Sequence, residues 1–155
     1  MRYLKIFEDF NNNILLDVND ILLELEDIGF TTNIITQDYK GSPNKIVITI
    51  SKEKNIIEDE GGEDEHIVTE QSDFNLSEIE DVVLRLRSFL EASGFSLFHC
   101  DYYTMIDGKN GFFSIKKENF IIPNLIADEF RISFVKDVSI LLKQALGCNA
   151  NNIHT

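Results

Sequence analysis

Apolar positions along this chain switch between a helical and a strand period, and the switch happens twice. Ile14, Val18, Ile21, Leu22, Leu25 and Ile28 recur at three- and four-residue spacings, with Asp17, Asp20, Glu24 and Asp27 between them. One buried stripe and one acidic face predict a helix over 14–28. Gly29 suits the left-handed residue that ends a helix. Phe30–Gln37 and Ile46–Ile50 are rich in β-branched residues and flank the turn formers of 38–44, which predicts an antiparallel hairpin. The order then returns. Ile79, Val82, Val83, Leu86, Phe89 and Leu90 predict a helix over 77–93, capped by Asn75 or Ser77 and stopped by Gly94. Phe95–Ile106 and Phe112–Lys116 flank Asp107-Gly-Lys-Asn-Gly111, a strong hairpin signal. Phe130–Val135 reads as a further strand, and 137–146 as a last helix ended by Gly147.

The shared helix–Gly-Phe–strand order predicts one α+β domain of two αββ-like halves. Its simplest form is an antiparallel sheet of four to five strands with the helices packed on one face. A pseudo-two-fold arrangement like a permuted ferredoxin-like sandwich follows from the repeat. Tyr3, Phe7, Phe10 and Ile14 mark an amphipathic segment over 1–13, interrupted by Asn11-Asn12-Asn13. The domain then covers 14–147, and 148–155 is a polar tail. Residues 53–75 show no clean period and contain Gly61-Gly62, so they predict a long exposed connection. Pro123 keeps 118–128 out of a central strand.

Charge changes this picture more than composition does. The 155 residues carry a net charge of −13, and eleven carboxylates with no Lys or Arg fall between Glu58 and Asp81. So acidic a chain disfavours direct contact with nucleic-acid backbones and anionic membranes. No apolar run reaches bilayer length, and the opening lacks the features of a signal peptide. Cys100 and Cys148, far apart and without an export signal, predict free thiols and a cytoplasmic setting. Hydrophobic residues at 43% and twelve Phe with no Trp predict a Phe-, Ile- and Leu-filled core.

Candidate chemistry is sparse. Glu58, Asp59, Glu60, Glu63, Asp64 and Glu65 form an acidic surface that either stays solvated, mimics nucleic-acid phosphates, or holds a cation; they lack the ligand register of an EF-hand. His99-Cys100-Asp101 offers three reactive side chains in a row. On a strand His99 and Asp101 share one face and Cys100 takes the other, which argues against a Cys–His pair. Tyr102 and Tyr103 near one predicted turn and Tyr39 near the other suggest a single contact surface for a protein partner, to which Phe7 and Phe10 add apolar area. Spacing nominates no catalytic residue, no metal ligands and no cofactor site.

The opening Met1-Arg-Tyr-Leu-Lys-Ile-Phe-Glu-Asp-Phe10 and the segment Asp20-Ile-Leu-Leu-Glu-Leu-Glu-Asp-Ile-Gly-Phe30 resemble small proteins of large tailed bacteriophages. The opening also resembles the short capsid-targeting leaders of such phages, and Leu76-Ser77-Glu78 fits the loose L-x-E pattern of their prohead proteases. The resemblance implies a non-enzymatic accessory or virion-associated protein acting in the host cell through protein–protein binding. The alternative is an acidic inhibitor that mimics nucleic acid and blocks a host enzyme. Partner identity and oligomeric state are not legible.

Overall fold

The computed structural model describes residues 2–39, 42–59, 65–105, 111–118 and 120–136; for 2–12, 39, 42, 43, 54–59 and 65–70 it describes the backbone alone. The chain runs α1 (Arg2–Asp27), β1 (Phe30–Tyr39), β2 (Ser42–Asp59), β3 (Glu65–Ser72), β4 (Phe74–Asn75), a 3₁₀ turn (Leu76–Glu78), α2 (Glu80–Ala92), β5 (Ser96–Thr104), β6 (Gly111–Ser114), β7 (Ile126–Ala127) and β8 (Glu129–Val135). The main sheet has the order β1-β2-β8-β5-β6, antiparallel throughout, with β3 paired to the outer half of β2. β4 and β7 form a separate two-stranded sheet. The predicted helix over 137–146, the turn at 107–110 and the tail from 148 lie outside the described residues.

The α+β class and the antiparallel sheet are as the pattern predicts, and three details differ. Asn11-Asn12-Asn13 do not break the first helix, which is continuous from Arg2. An Asn costs a helix only about 0.7 kcal/mol relative to Ala. The stripe of Ile14, Val18, Leu22 and Leu25, all buried, outweighs that sum. The described residues of 53–75 are not an irregular connection; 60–64 lie outside the described residues. β2 continues to Asp59 and β3 returns antiparallel to it, with Ile56 opposite Val68 and Ile57 opposite Ile67. Those β-branched pairs favour a ladder that the surrounding carboxylates hide from a periodicity reading. β3 raises the sheet to six strands instead of four or five. Lastly, the stretch 118–128 holds the short β7 after Pro123.

One face of the sheet meets the helices. Ile46, Ile48 and Ile50 of β2 stand opposite Phe134, Ile132 and Phe130 of β8, and all six are buried. With the α1 stripe and Val82, Val83, Leu86 and Leu90 of α2 they form one continuous core. Arg85 of α2 grips both carboxylate oxygens of Glu24 on α1, and that hydrogen-bonded pair holds the Glu24 carboxyl below its ordinary pKa. At the start of α2, Asn75 Oδ1 accepts from Ser77 N at 2.9 Å and Glu78 Oε2 accepts from Asn75 N at 2.9 Å, a reciprocal cap.

The two halves are related about the Ile48–Ile132 pair at the centre of the β2–β8 ladder. Ile14, Val18 and Leu25 of α1 correspond at constant offset to Ile79, Val83 and Leu90, all buried. Gly29 and Gly94 correspond too, at φ +97° and +94°. So do two cation–π pairs: Lys52 Nζ lies 5.1 Å from the Phe30 ring centre, and Lys136 Nζ lies 5.3 Å from that of Phe95. Lys136 also donates to the carbonyl of Ser93 at 3.0 Å, closing the C-terminal end of α2, and burial lowers its pKa.

The duplicated glycines give a paired prediction. Gly29→Ala meets nothing within 4 Å and should cost only the left-handed backbone penalty, about 1–2 kcal/mol. A Cβ at Gly94 lands 3.2 Å from Lys136 Cε, so Gly94→Ala should cost more than its counterpart. Urea midpoints at unchanged slope measure both; equal losses would show that Lys136 moves aside freely.

Candidate functional site

Strand alternation sends the polar chemistry of the sheet to the face away from the helices. Register lines it up in rows. Ile35, Val47, Ser133 and His99 form one row across β1, β2, β8 and β5, and Asn33, Thr49, Arg131 and Asp101 form the next. β5 carries a bulge between Leu97 and His99, which inserts Phe98 as an extra residue. As a result Phe98 and His99 both line this face.

Together these residues shape a groove of about 240 Å³. Its floor is Val47, Asp101 and Ser133, each buried. Gln37, Lys45, Phe98, His99 and Arg131 form the rim. Asp101 is the organising side chain. Arg131 Nε donates to its Oδ1 at 3.3 Å and Arg131 Nη2 to its Oδ2 at 3.2 Å, while His99 Nε2 lies 3.0 Å from Oδ2. The guanidinium also sits 4.8 Å from the ring centre of Phe112. Phe112 in turn packs against Tyr103 at 4.9 Å. On the other side, the ammonium groups of Lys45 and Lys117 lie 4.5 and 5.5 Å from the centre of the Phe98 ring.

Charge here runs against the rest of the chain. Lys45, Lys117 and Arg131 gather around the groove, and among the described residues Asp101 is the one carboxylate ion-paired to any of them. The local balance is cationic on a protein of net charge −13.

His99, Asp101 and Ser133 are residue types of a hydrolytic triad, but they are not connected as one. The Ser133 hydroxyl donates to the His99 backbone carbonyl at 3.4 Å, not to its ring. Cys100 points into the core, where burial first and Asp101 second push its thiol up to about 12. The expected split of His99 and Asp101 from Cys100 is what the register produces. No group of three His, Cys, Asp or Glu among the described residues is placed to hold a metal ion. No helix among them is long and apolar enough to cross a membrane.

The sequence-nominated residues are dispersed. Tyr39 ends β1 beyond the Lys45–Val135 end of the sheet, whereas Tyr103 lies beside Glu129 at the Ser51–Glu129 end; residues 40–41 and 106–110, which join these strands, lie outside the described residues. Tyr102 faces the helix side, stacked on Phe113 at 5.6 Å, and only Tyr103 is on the groove face. The side chains of Phe7, Phe10 and Tyr39 lie outside the described residues, as do Glu60, Glu63 and Asp64 altogether. Glu58 and Asp59 end β2 and Glu65 begins β3, with Asp59 opposite Glu65. Lys45, Phe98 and Arg131 were not singled out from the sequence. Their signal is tertiary: a bulge and a cross-strand register bring them together.

Comparison with protein-family models, with curated proteins and with solved structures finds no match to this chain.

The Cys100 environment yields a direct test. In a Cys148→Ser variant, the remaining thiol should react with a disulfide reagent at pH 8 at least about 100-fold more slowly folded than in urea, because the thiolate is the nucleophile. Rapid reaction of the folded protein would place Cys100 elsewhere.

Proposed function

We propose that the protein is a non-enzymatic phage accessory or virion-associated protein that binds another protein through the sheet face opposite α1 and α2, within the host cell or the particle. The observation that carries this reading is the make-up of that face. Arg131 stacks on Phe112, Phe112 on Tyr103, and Phe98 lies under two lysines, with Ile35 and Phe112 exposed at its margins. Arg, Tyr and Phe around a buried floor are what protein interfaces concentrate at their centres. The surplus of cations directs the face toward an acidic segment of the partner. The resemblance of the opening residues to phage proteins supplies the biological setting.

Comparative capture from phage-infected cells tests this. A protein retained by the wild type should be lost with Ile35→Ser/Phe112→Ser, two exposed positions whose replacement leaves the core intact. It should be retained by a variant with Glu58, Asp59, Glu60, Glu63, Asp64 and Glu65 replaced by Ser.

One observation favours the nucleic-acid-mimic reading instead. The acidic residues at the ends of β2 and β3 sit on a paired ladder, which fixes the backbone spacing of Glu58, Asp59 and Glu65. Under that reading the serine variant loses its target and the sheet-face variant keeps it.

A further inference from the structure

The molecule contains its own control for the groove. Internal pseudo-symmetry makes the cross-strand pair Ile35–Val47 the counterpart of Asp101–Arg131. The first half thus fills this position with an apolar pair, and the fold is complete without an ion pair there. A buried ion pair is often no more stabilising than the hydrophobic pair that replaces it. Asp101 is nonetheless buried beneath a guanidinium that also lies over Phe112. Architecture alone does not call for that arrangement.

What the arrangement does is aim a cation. Asp101 and Phe112 hold the Arg131 side chain from two directions, so its guanidinium is set before any ligand arrives. Guanidinium carries five N–H donors, and Asp101 engages Nε and Nη2. The remaining donors suit the planar, bidentate geometry of a second carboxylate. Lys45 lines the same groove with no carboxylate partner among the described residues, and Lys117 lies over the same Phe98 ring. Glu129, the next residue along this face of β8, forms no ion pair with them. The one-residue bulge, which has no counterpart between Thr32 and Asn33 of β1, is what brings Phe98 to the rim. At about 240 Å³ the groove is smaller than the 300–1,000 Å³ typical of cofactor and drug-sized ligands, and it is open. It fits one acidic side chain with its neighbouring backbone.

We propose that the Lys45–Phe98–Arg131 groove is an anchoring subsite for a Glu or Asp carboxylate presented by an acidic polypeptide. This rests on the protein-binding reading above and deepens it by naming what the partner brings. Asp101 is a positioning residue: it fixes Arg131 and does not touch the ligand.

The test uses the full chain and an acetylated hexaglutamate peptide, followed by NMR at the Arg131 Nε–H and the backbone amides of Lys45, Phe98 and His99. Saturable shifts confined to these residues are expected, weakening as salt rises. Lys45→Gln should weaken binding at least fivefold, while the equal charge change Arg85→Gln on α2 should leave it within twofold. The double variant Asp101→Ile/Arg131→Val copies the Ile35–Val47 pair. It should keep the wild-type fold by circular dichroism and lose the groove shifts; Lys45→Gln and Lys117→Gln decide the matter if it does not fold. Absence of localised shifts at millimolar peptide, or shifts unaffected by Lys45→Gln, overturns the proposal. Inorganic phosphate binding the groove more tightly than the peptide also overturns it in favour of a small-anion site. A captured partner that depends on Ile35 and Phe112 but ignores Lys45→Gln would leave the docking face standing and remove the carboxylate anchor. Peptide binding in the groove with no face-dependent partner would do the reverse.

Discussion

The β2–β8 ladder is the constraint on which the rest of this structure depends. It joins residues 45–51 to 129–135 across more than half of the chain, and it is the seam between the two halves. Ile46, Ile48 and Ile50 face Phe134, Ile132 and Phe130 across it, and every one is buried beneath the helices. Side-chain period in a strand is two, so a one-residue slip of one strand would send its three apolar residues to the groove face and its polar residues inward. The register is therefore fixed by the strongest apolar contrast in the molecule. Once it is set, α1 and α2 have a shared floor, and β1 and β5 fall on opposite flanks. Non-local pairing of this kind is slow to form, because loop closure precedes any reward from contact. The local αβ units on each side, each helix ending in Gly-Phe and running into a strand, give the ladder preformed partners.

Much of this was legible in the sequence because it rests on local periodicity. The stripes at Ile14–Leu25 and Val82–Leu90, the glycine stops and the run Ile46–Ile50 each report their own environment. The repeat was legible in outline, though its two helices do not align at their acidic starts: structural equivalence sets Arg85, not Asp81, against Asp20. What was not legible has a common cause. In residues 53–72 the apolar residues come as adjacent pairs, Ile56-Ile57 and Ile67-Val68, which fit neither a helical stripe nor a half-buried strand. Their order comes from pairing with each other across the turn, a non-local fact. Asn11-Asn12-Asn13 mislead in the opposite direction. Their weak propensity marks no boundary, because burial of the flanking apolar stripe outweighs it by several kcal/mol, on the order of 1.5–3 for each buried side chain.

The groove residues were invisible for a sharper reason. Lys45, Arg131 and Lys117 are unremarkable singly, each a cation in a stretch with carboxylates nearby. The shared face of His99 and Asp101 follows from strand alternation alone. Their partner is thirty residues on, and only the β5–β8 register makes Asp101 and Arg131 cross-strand neighbours. The bulge at Phe98 cannot be read from periodicity at all, because Leu97-Phe98 looks like two ordinary apolar strand residues. Tyr39 and Tyr103 show the converse error. Sequence symmetry suggests one surface around them, but a two-fold axis through the middle of a sheet sets the backbones of these two residues toward opposite ends.

That symmetry also separates what both halves share from what one half adds. Positions that match between the halves, such as Gly29 with Gly94, Phe30 with Phe95 and Lys52 with Lys136, serve tasks that both halves share: stopping a helix, entering the sheet, and covering a ring with an ammonium. A duplicated architecture needs those tasks done twice. Positions that differ are freed from that requirement. On the helix side of the β2–β8 ladder the differences are conservative, Ile46 against Phe130 and Ile50 against Phe134, as a shared core demands. On the groove face they are chemical: Asn33 against His99, Ile35 against Asp101, Val47 against Arg131. A fold that is satisfied by Ile–Val at one site carries at its twin a buried carboxylate paired to a partly exposed guanidinium, a cation held in place. The groove face is thus where the two halves differ most in chemistry, and the pairing of Asp101 with Arg131 is the product of that difference.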